Sequence, residues 1–205
     1  MKVNTNAWNR LRYTWWAPLY DRVTAPFDPL RRRSIALLQL RPGERLLLVG
    51  AGTGADLPHI PDHARVTATD LTPAMLTRAR TRRAGTSLAV MDGARLAVRD
   101  AAFDAVALHL ILAVMPDPVG GLREVARVTR PGGRVVVFDK FARSRRAPLA
   151  LRIANVVTAA LFTDVTRHFE SLLGDAGTDL RIESDEPVAG GGLFRQILLR
   201  RGPVA

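Results

Sequence analysis

Three glycines and an aspartate have the types and spacing of a ligand site. Gly50, Gly52 and Gly54 stand at alternate positions directly after the apolar run 46–49. Glycine lets the chain turn sharply and lets a ligand approach bare backbone. Asp70 follows sixteen residues after the last glycine, at the end of a second short predicted strand, 65–69. Because an acid at that place in an α/β sheet can accept hydrogen bonds from ribose hydroxyls, the stretch predicts a bound nucleoside.

The glycine loop alone leaves two classes of nucleoside open. Gly50, Gly52 and Ala55 also satisfy the Gly-x-Gly-x-x-Gly/Ala pattern of dinucleotide folds, which is a weak signal by itself. A third predicted strand, 87–91, ends at Asp92, where a carboxylate can accept from the amine of adenine. The chain also offers no second domain for a hydride acceptor. These features favour S-adenosylmethionine over a dinucleotide.

Four segments extend the pattern along the chain. They read GAGTG (50–54), DLTPAMLTRAR (70–80), MDGARLAVRDAAFDAVALHLILAVMPDP (91–118) and LREVARVTRPGGRVVVFDKF (122–141). In order and spacing they resemble the motifs of class I S-adenosylmethionine-dependent methyltransferases over roughly residues 20–141. The chain is most similar to bacterial phosphatidylethanolamine N-methyltransferases and to ubiquinone and menaquinone C-methyltransferases.

The resemblance implies an α/β fold. This would be a Rossmann-like seven-stranded sheet with helices on both faces and an antiparallel C-terminal strand pair. The expected cofactor is S-adenosylmethionine, with S-adenosylhomocysteine as the product, and no metal is expected. The predicted cofactor-binding residues are Gly50, Ala51, Gly52, Gly54, Asp56, Asp70, Leu71, Met75, Asp92, Gly93, Ala94 and His109. Tyr20 and His109 are the predicted catalytic residues. In the resembled enzymes the aromatic region around Tyr20 contributes to the cofactor and substrate pocket, and His109 stands near the end of the fourth predicted strand, where the methyl group should leave.

The chain is expected to form one methyltransferase domain, 1–205. Residues 1–40 would be a helical lid or membrane-contact segment, 41–141 the cofactor-binding core, and 142–205 the acceptor-side helices and closing strands. Helical patterns occur at 6–17, 30–40, 55–60, 74–83, 117–129, 147–162 and 164–173. Pro18 should end the first of these helices. Strands are expected at 103–110, 134–139, 180–184 and 193–200, with Gly190-Gly-Gly turning the chain between the last two.

The first helix carries a stripe of large apolar residues. Trp8, Leu11, Trp15 and Leu19 fall at helical spacing beside arginines. Indole rings beside cations are typical of a helix that lies in a membrane interface. Alternatively, the tryptophans pack on the domain as a lid, and a lid can also dock on a bilayer.

Composition narrows the class of protein. The 205 residues contain no cysteine, which excludes disulfides, thiolate metal sites and a cysteine nucleophile. Residues 1–45 carry nine basic and three acidic side chains, and residues 140–152 carry five basic and none acidic. Both segments would flank the substrate entrance, although 28 of the 30 basic residues are arginine, which also fits a GC-rich genome. With no secretory signal or long apolar run, the protein is expected to be cytoplasmic and peripheral on the inner face of the cell membrane.

These observations predict a methyltransferase acting on an amine-bearing phospholipid such as phosphatidylethanolamine, at an anionic membrane surface. The alternatives are C- or O-methylation of a quinone or small metabolite, and a degenerate cofactor-binding module. The last is open because Leu48 replaces the acid that the resembled families usually carry there. A nucleic-acid partner is not expected, since residues 110–114 lack the Asn/Asp-Pro-Pro-aromatic motif that grips a flipped base. Lys140 and Phe141 are expected at the pocket rim.

Overall fold

Within residues 4–142 and 166–203, which this computed structural model describes, seven strands form one sheet in the order β3-β2-β1-β4-β5-β7-β6. The first five pair in parallel, and β7 runs antiparallel to both β5 and β6. The predicted Rossmann-like sheet with an antiparallel C-terminal pair is therefore confirmed. The elements are α1 (Asn6–Thr24), α2 (Asp28–Leu37), β1 (Arg45–Val49), β2 (Arg65–Asp70), α3 (Pro73–Ala79), β3 (Ser87–Val90), β4 (Phe103–His109), α4 (Pro118–Val128), β5 (Thr129–Lys140), α5 (Phe169–Ala176), β6 (Leu180–Ala189) and β7 (Phe194–Arg201).

The central strands β1 and β4 are buried on both faces, which explains the apolar runs 46–49 and 105–108 within them. Successive side chains of a strand point to opposite faces, so alternate residues of β1 enter different apolar clusters. Leu46 and Leu48 pack on the face covered by α2 and α3, whereas Leu47 and Val49 pack on the face covered by α4 and α5. Helices thus cover both faces of the sheet, as predicted.

The first helix is longer than the sequence predicted. It continues through Pro18 and ends at Thr24, so the expectation that Pro18 ends it was wrong. Proline removes one backbone donor from a helix. The turns beyond it are nevertheless held to the core, because Asp21 accepts a hydrogen bond from the hydroxyl of Thr53 in the glycine loop. None of the described helices combines the length and apolar character that a bilayer span requires.

Several other boundaries differ from prediction. The second helix ends at Leu37 rather than at residue 40, and α3 covers only Pro73–Ala79. The predicted helix 55–60 is a single 3-10 turn, Leu57–His59. The last helix, predicted at 164–173, is Phe169–Ala176 within the described residues. The expected helix 147–162 lies outside the described residues.

The approach to β5 also differs from prediction. The strand begins at Thr129, and the Arg130-Pro-Gly-Gly segment forms an irregularity inside it, between the Phe103 and Ala105 pairings of β4. At its far end, Phe141 is fully buried and packs against Phe169 at 5.0 Å between ring centroids. The placement of Phe141 at the pocket rim was therefore wrong.

Candidate functional site

The glycine loop after β1 has the backbone conformation that the sequence predicted. Gly50 and Gly52 have φ values of 69° and 56°, in the left-handed region that favours glycine. A Cβ on Gly50 would lie 2.5 Å from Ile111 Cγ1, so that position is sterically closed. A Cβ on Gly52 would meet nothing nearer than Tyr20 Cε1 at 3.7 Å. At Gly52 the bare backbone faces open space that a ligand can fill.

Asp70 and Asp92 stand at the ends of neighbouring strands and organise the loops around that space. The Asp70 carboxylate accepts from the N–H groups of Gly52 at 2.9 Å and Thr72 at 2.8 Å. Burial raises the pKa of Asp70, and these two hydrogen bonds oppose that shift. Asp92 accepts from Ala94 N at 2.9 Å. The two carboxylates therefore lie at the carboxyl edge of the sheet, where α/β folds bind nucleotides.

These groups surround a first cavity of about 650 Å³, part of which opens to solvent. Eight predicted site residues line it: Tyr20, Gly50, Gly52, Asp70, Leu71, Met75, Asp92 and Gly93. Ala51, Gly54, Asp56, Ala94 and His109 are not among its lining residues. Most of the other lining residues come from α1 and from the loop after β4: Asn6, Asn9, Tyr13, Leu110, Ile111, Val114, Met115 and Pro116. Val49, Thr72 and Met91 complete the lining.

Helix α1 covers this cavity and is hydrogen-bonded to the core near both of its ends. Near its start, Asn6 Nδ2 donates to Asp92 Oδ2 at 2.7 Å, and Asn9 Nδ2 donates to the carbonyl of Val114 at 3.1 Å. Near its end, Asp21 accepts from Thr53. The sequence did not single out Asn6 or Asn9. Their spacing of three residues, on the helix face opposite the apolar stripe, was the available signal.

A second cavity of about 980 Å³, also partly open, adjoins the first under the same helix. Tyr13, Tyr20, Leu110 and Val114 line both cavities and so form the wall between them. Leu110 has a φ of 57°, a strained conformation for a residue with a side chain. The other residues lining the second cavity are Arg12, Trp16, Val23, Thr24, Phe27 and Lys140. A molecule in one cavity would thus lie next to a molecule in the other, with Tyr13 and Tyr20 between them.

Asp56 and His109 lie together behind this wall. His109 Nδ1 is 2.7 Å from Asp56 Oδ1, and Arg31 Nη1 donates to both oxygens of Asp56 at 2.9 and 3.0 Å. Ser34 Oγ is 2.8 Å from His109 Nε2. Burial would raise the pKa of Asp56, but the charges of His109 and Arg31 outweigh it and hold the pKa below its ordinary value. Asp56 is therefore ionised.

An ionised carboxylate can only accept, so His109 donates from Nδ1. Nε2, on the other side of the ring, has the Ser34 hydroxyl as its hydrogen-bond partner. The Arg31 guanidinium also interacts with the Tyr20 phenol. This buried network therefore connects His109 to the shared wall through Arg31 and Tyr20. The sequence did not single out Arg31, because it sits in a run of three arginines, a pattern typical of an exposed charge cluster.

Leu48, at the position of the usual acid, does not line either cavity. Its side chain is buried in the apolar cluster with Ile35, Leu38 and Ala51. The substitution is therefore accommodated by packing. Asp70 and Asp92 supply the carboxylates that the first cavity presents.

The first cavity fits an adenosine that carries an amino-acid tail. It offers a glycine backbone with room for a ligand at Gly52, and carboxylates at the ends of β2 and β3. Met75, 2% exposed, and Met91 add apolar surface suited to a base. The residues present therefore fit S-adenosylmethionine.

Comparison with known proteins gives the same answer. A family profile described as a methyltransferase domain matches residues 47–137. A phosphatidylethanolamine N-methyltransferase of Cereibacter sphaeroides is 34% identical over 179 residues, 83% of this chain and 86% of that protein. A demethylmenaquinone methyltransferase of Beutenbergia cavernae is 39% identical over 110 residues, 53% of this chain and 46% of that protein, so the match spans about half of that relative.

Solved structures share the fold at low identity. An S-adenosylmethionine-dependent methyltransferase of Thermotoga maritima has a TM-score of 0.70 at 17% identity, covering 94% of this chain and 99% of that one. A methyltransferase in complex with a Haloferax volcanii methyltransferase activator has a TM-score of 0.77 at 17% identity, covering 93% and 97%. With the matched domain and a relative aligned over most of both lengths, the chain belongs to the S-adenosylmethionine-dependent methyltransferases.

Proposed function

We propose that this enzyme transfers a methyl group to the amine headgroup of a phospholipid such as phosphatidylethanolamine, at a membrane surface. One observation carries the proposal: two faces of α1 have different surroundings. Its inner face lines both cavities, and its outer face exposes a stripe of large apolar residues. A lipid could pass from a bilayer under the outer face to the second cavity under the inner one.

The outer stripe consists of Trp8, Leu11, Trp15 and Leu19. Trp15 is 77% exposed and Leu11 is 54% exposed. Exposed apolar side chains in a contiguous stripe of this kind mark an interaction surface. Arg22 is exposed on the same helix and falls on this side by helical periodicity, so it can meet anionic headgroups. The stripe has the composition of an interfacial helix.

On the cofactor side, we assign the ribose hydroxyls to Asp70 and the adenine amine to Asp92. Asp92 already accepts from Asn6, so the amine would share that carboxylate or displace the asparagine. The backbone of the glycine loop would face the amino-acid end. Asp56 and His109 support this arrangement from behind the wall, and we keep their direct contact with the cofactor as a prediction to be tested.

S-adenosylmethionine, when bound, supplies an electrophilic methyl group on a sulfonium. The task of the chain is to align the acceptor with that group and to exclude water, which can contribute effective molarities of about 10⁵ M or more. Burial raises the pKa values of Tyr13 and Tyr20, so both phenols stay protonated. They can donate hydrogen bonds and present ring faces to a cationic product, but they do not act as bases.

A quinone acceptor is the alternative that the comparisons favour. The match to a demethylmenaquinone methyltransferase and the aromatic lining of the second cavity both support it. The outer stripe fits either lipid-soluble acceptor. The two are distinguished by identifying the methylated product.

The test is incubation with labelled S-adenosylmethionine and vesicles that contain either phosphatidylethanolamine or demethylmenaquinone. We expect label in the phospholipid. Trp15→Ala should lower the rate on vesicles while preserving the rate on a soluble short-chain phosphatidylethanolamine, because only the first substrate requires docking. Ile182→Ala, which truncates another exposed apolar side chain, is the matched control and should change neither rate. Label in the quinone alone would overturn the proposal.

A further inference from the structure

Among the described residues, the lining of the second cavity includes two cations and no carboxylate. Arg12 and Lys140 line it together with aromatic and aliphatic side chains. Lys140 is half-buried, whereas Arg12 is buried, and burying a cation without a counter-ion is unfavourable.

Arg12 is the more informative of the two. It is 8% exposed, and its Nη2 donates to Asn9 Oδ1 at 2.8 Å. Its guanidinium carbon lies 4.8 Å from the centroid of the Tyr13 ring. Its Nε is buried and donates to nothing in the described part of the chain. The guanidinium thus keeps hydrogen-bonding capacity free beside the cavity.

Two other buried arginines have the acidic partner that Arg12 lacks among the described residues. Arg31 is 3% exposed and is paired with Asp56 at 2.9 Å. Arg134 is 8% exposed and is paired with Glu44. Arg12 is equally buried, yet no described acidic residue lies within ion-pair distance of it. A buried guanidinium usually has an anionic partner, so an anionic ligand is the natural complement here.

Lys140 provides a second cation in the lining of the same cavity. It is the last residue of β5, and its Nζ lies 5.5 Å from the centroid of the Phe194 ring. The fully buried carboxylate of the neighbouring Asp139 accepts from Ala113 N at 2.9 Å and Lys140 N at 2.8 Å. Burial raises the pKa of Asp139 and the Lys140 charge opposes that shift, although the two side chains form no ion pair. The Lys140 ammonium remains among the lining groups.

We infer that Arg12 and Lys140 bind an anionic group of the methyl acceptor, such as the phosphate of a phosphodiester, beside its nucleophile. The inference rests on the proposed function in taking the second cavity as the acceptor site. It deepens that function by assigning the two residues that select a phosphate-bearing acceptor over a neutral one. A quinone offers no such group to these cations.

The test measures equilibrium binding, so that it does not depend on methyl transfer. The probes are dihexanoylphosphatidylcholine, which carries the phosphate but no amine to methylate, and uncharged dihexanoylglycerol, each titrated below micelle formation into the S-adenosylhomocysteine complex. We expect the wild type to bind the phospholipid at least tenfold more tightly than the glyceride. Arg12→Met and Lys140→Met should each abolish most of that preference and leave glyceride binding unchanged.

Arg10→Met removes an exposed arginine of the same helix and should leave the preference intact. Retained S-adenosylhomocysteine affinity shows that each variant is folded, and Lys140→Met, at a partly exposed position, keeps the test valid if Arg12→Met misfolds. Phosphoethanolamine, added as competitor, distinguishes a lipid-borne phosphate from a free one. Equal binding of phospholipid and glyceride, or an unchanged preference in Lys140→Met, would overturn the inference. Phospholipid preference without methylation of phosphatidylethanolamine would instead refute the proposed function.

Discussion

Replacing Gly52 by alanine tests whether the glycine loop cradles the cofactor. Gly52 has a φ of 56°, and a non-glycine residue in that conformation costs about 1–2 kcal/mol of stability. The added Cβ would stand in the first cavity, 3.7 Å from Tyr20 Cε1, without touching other protein atoms. Folding therefore suffers only backbone strain, whereas a ligand pressed against this backbone must shift.

Gly43 provides a matched control. Its φ is 80°, and a Cβ there would meet nothing within 4 Å, so Gly43→Ala carries comparable strain far from the cavity. At about 2–4 °C per kcal/mol for a protein of this size, both variants should unfold a few degrees below the wild type. Only Gly52→Ala should bind S-adenosylhomocysteine about tenfold or more weakly, equivalent to about 1.4 kcal/mol.

Calorimetric titration with S-adenosylhomocysteine, together with thermal unfolding of each variant, separates the two effects. If Gly52→Ala binds with wild-type affinity, the loop does not approach the cofactor and the assignment of the first cavity is incorrect. A similar loss of affinity in Gly43→Ala would show that strain alone weakens binding, and would refute the steric argument equally.

Arg31→Met should destabilise the fold by about 3–5 kcal/mol, because it leaves the buried Asp56 carboxylate without its guanidinium. Arg32→Met, at an exposed position, should cost little stability. Denaturant unfolding that gave the two variants the same loss of stability would contradict the prediction. The pKa of Asp56 is lowered, since His109 and Arg31 outweigh the opposing effect of burial. Its stabilising contribution is thus complete above about pH 4 and is lost as the pH falls through the lower folded-state pKa, so Asp56→Asn should flatten the acid limb of stability between about pH 2 and 5. Tyr20→Phe and His109→Ala should each lower turnover with labelled cofactor, and no change in either variant would refute our picture of the acceptor wall.

The sequence by itself determined eight of the residues that line the first cavity, which we propose as the cofactor half of the site. Glycines at 50, 52 and 54 restrict the backbone locally, and acids at the ends of predicted strands must meet at one edge of a parallel sheet. These inferences needed only rules that act over a few residues. Asp70 and Asp92 therefore came out beside Gly52 and line one cavity.

The acceptor half depended on contacts between distant residues. Arg31 is buried against Asp56 while its neighbours Arg32 and Arg33 are exposed, although the sequence gives all three the same signal. His109 was predicted as a site residue, but its buried contact with Asp56, 53 residues away, could not be read from the sequence. Burial and ion pairing are set by tertiary neighbours, which the composition of a charge run does not reveal.

Helix α1 shows most clearly which features follow from the sequence and which follow from the tertiary structure. Its period predicted that Trp8, Leu11, Trp15 and Leu19 share one face, because side chains three and four residues apart lie together, and the structure shows that this face is exposed. Two features of the helix follow only from how it packs on the sheet edge. It continues past Pro18, and it places Arg12 beside a cavity that Lys140 also lines. Periodicity specifies which residues lie together on a helix, whereas packing decides what they face.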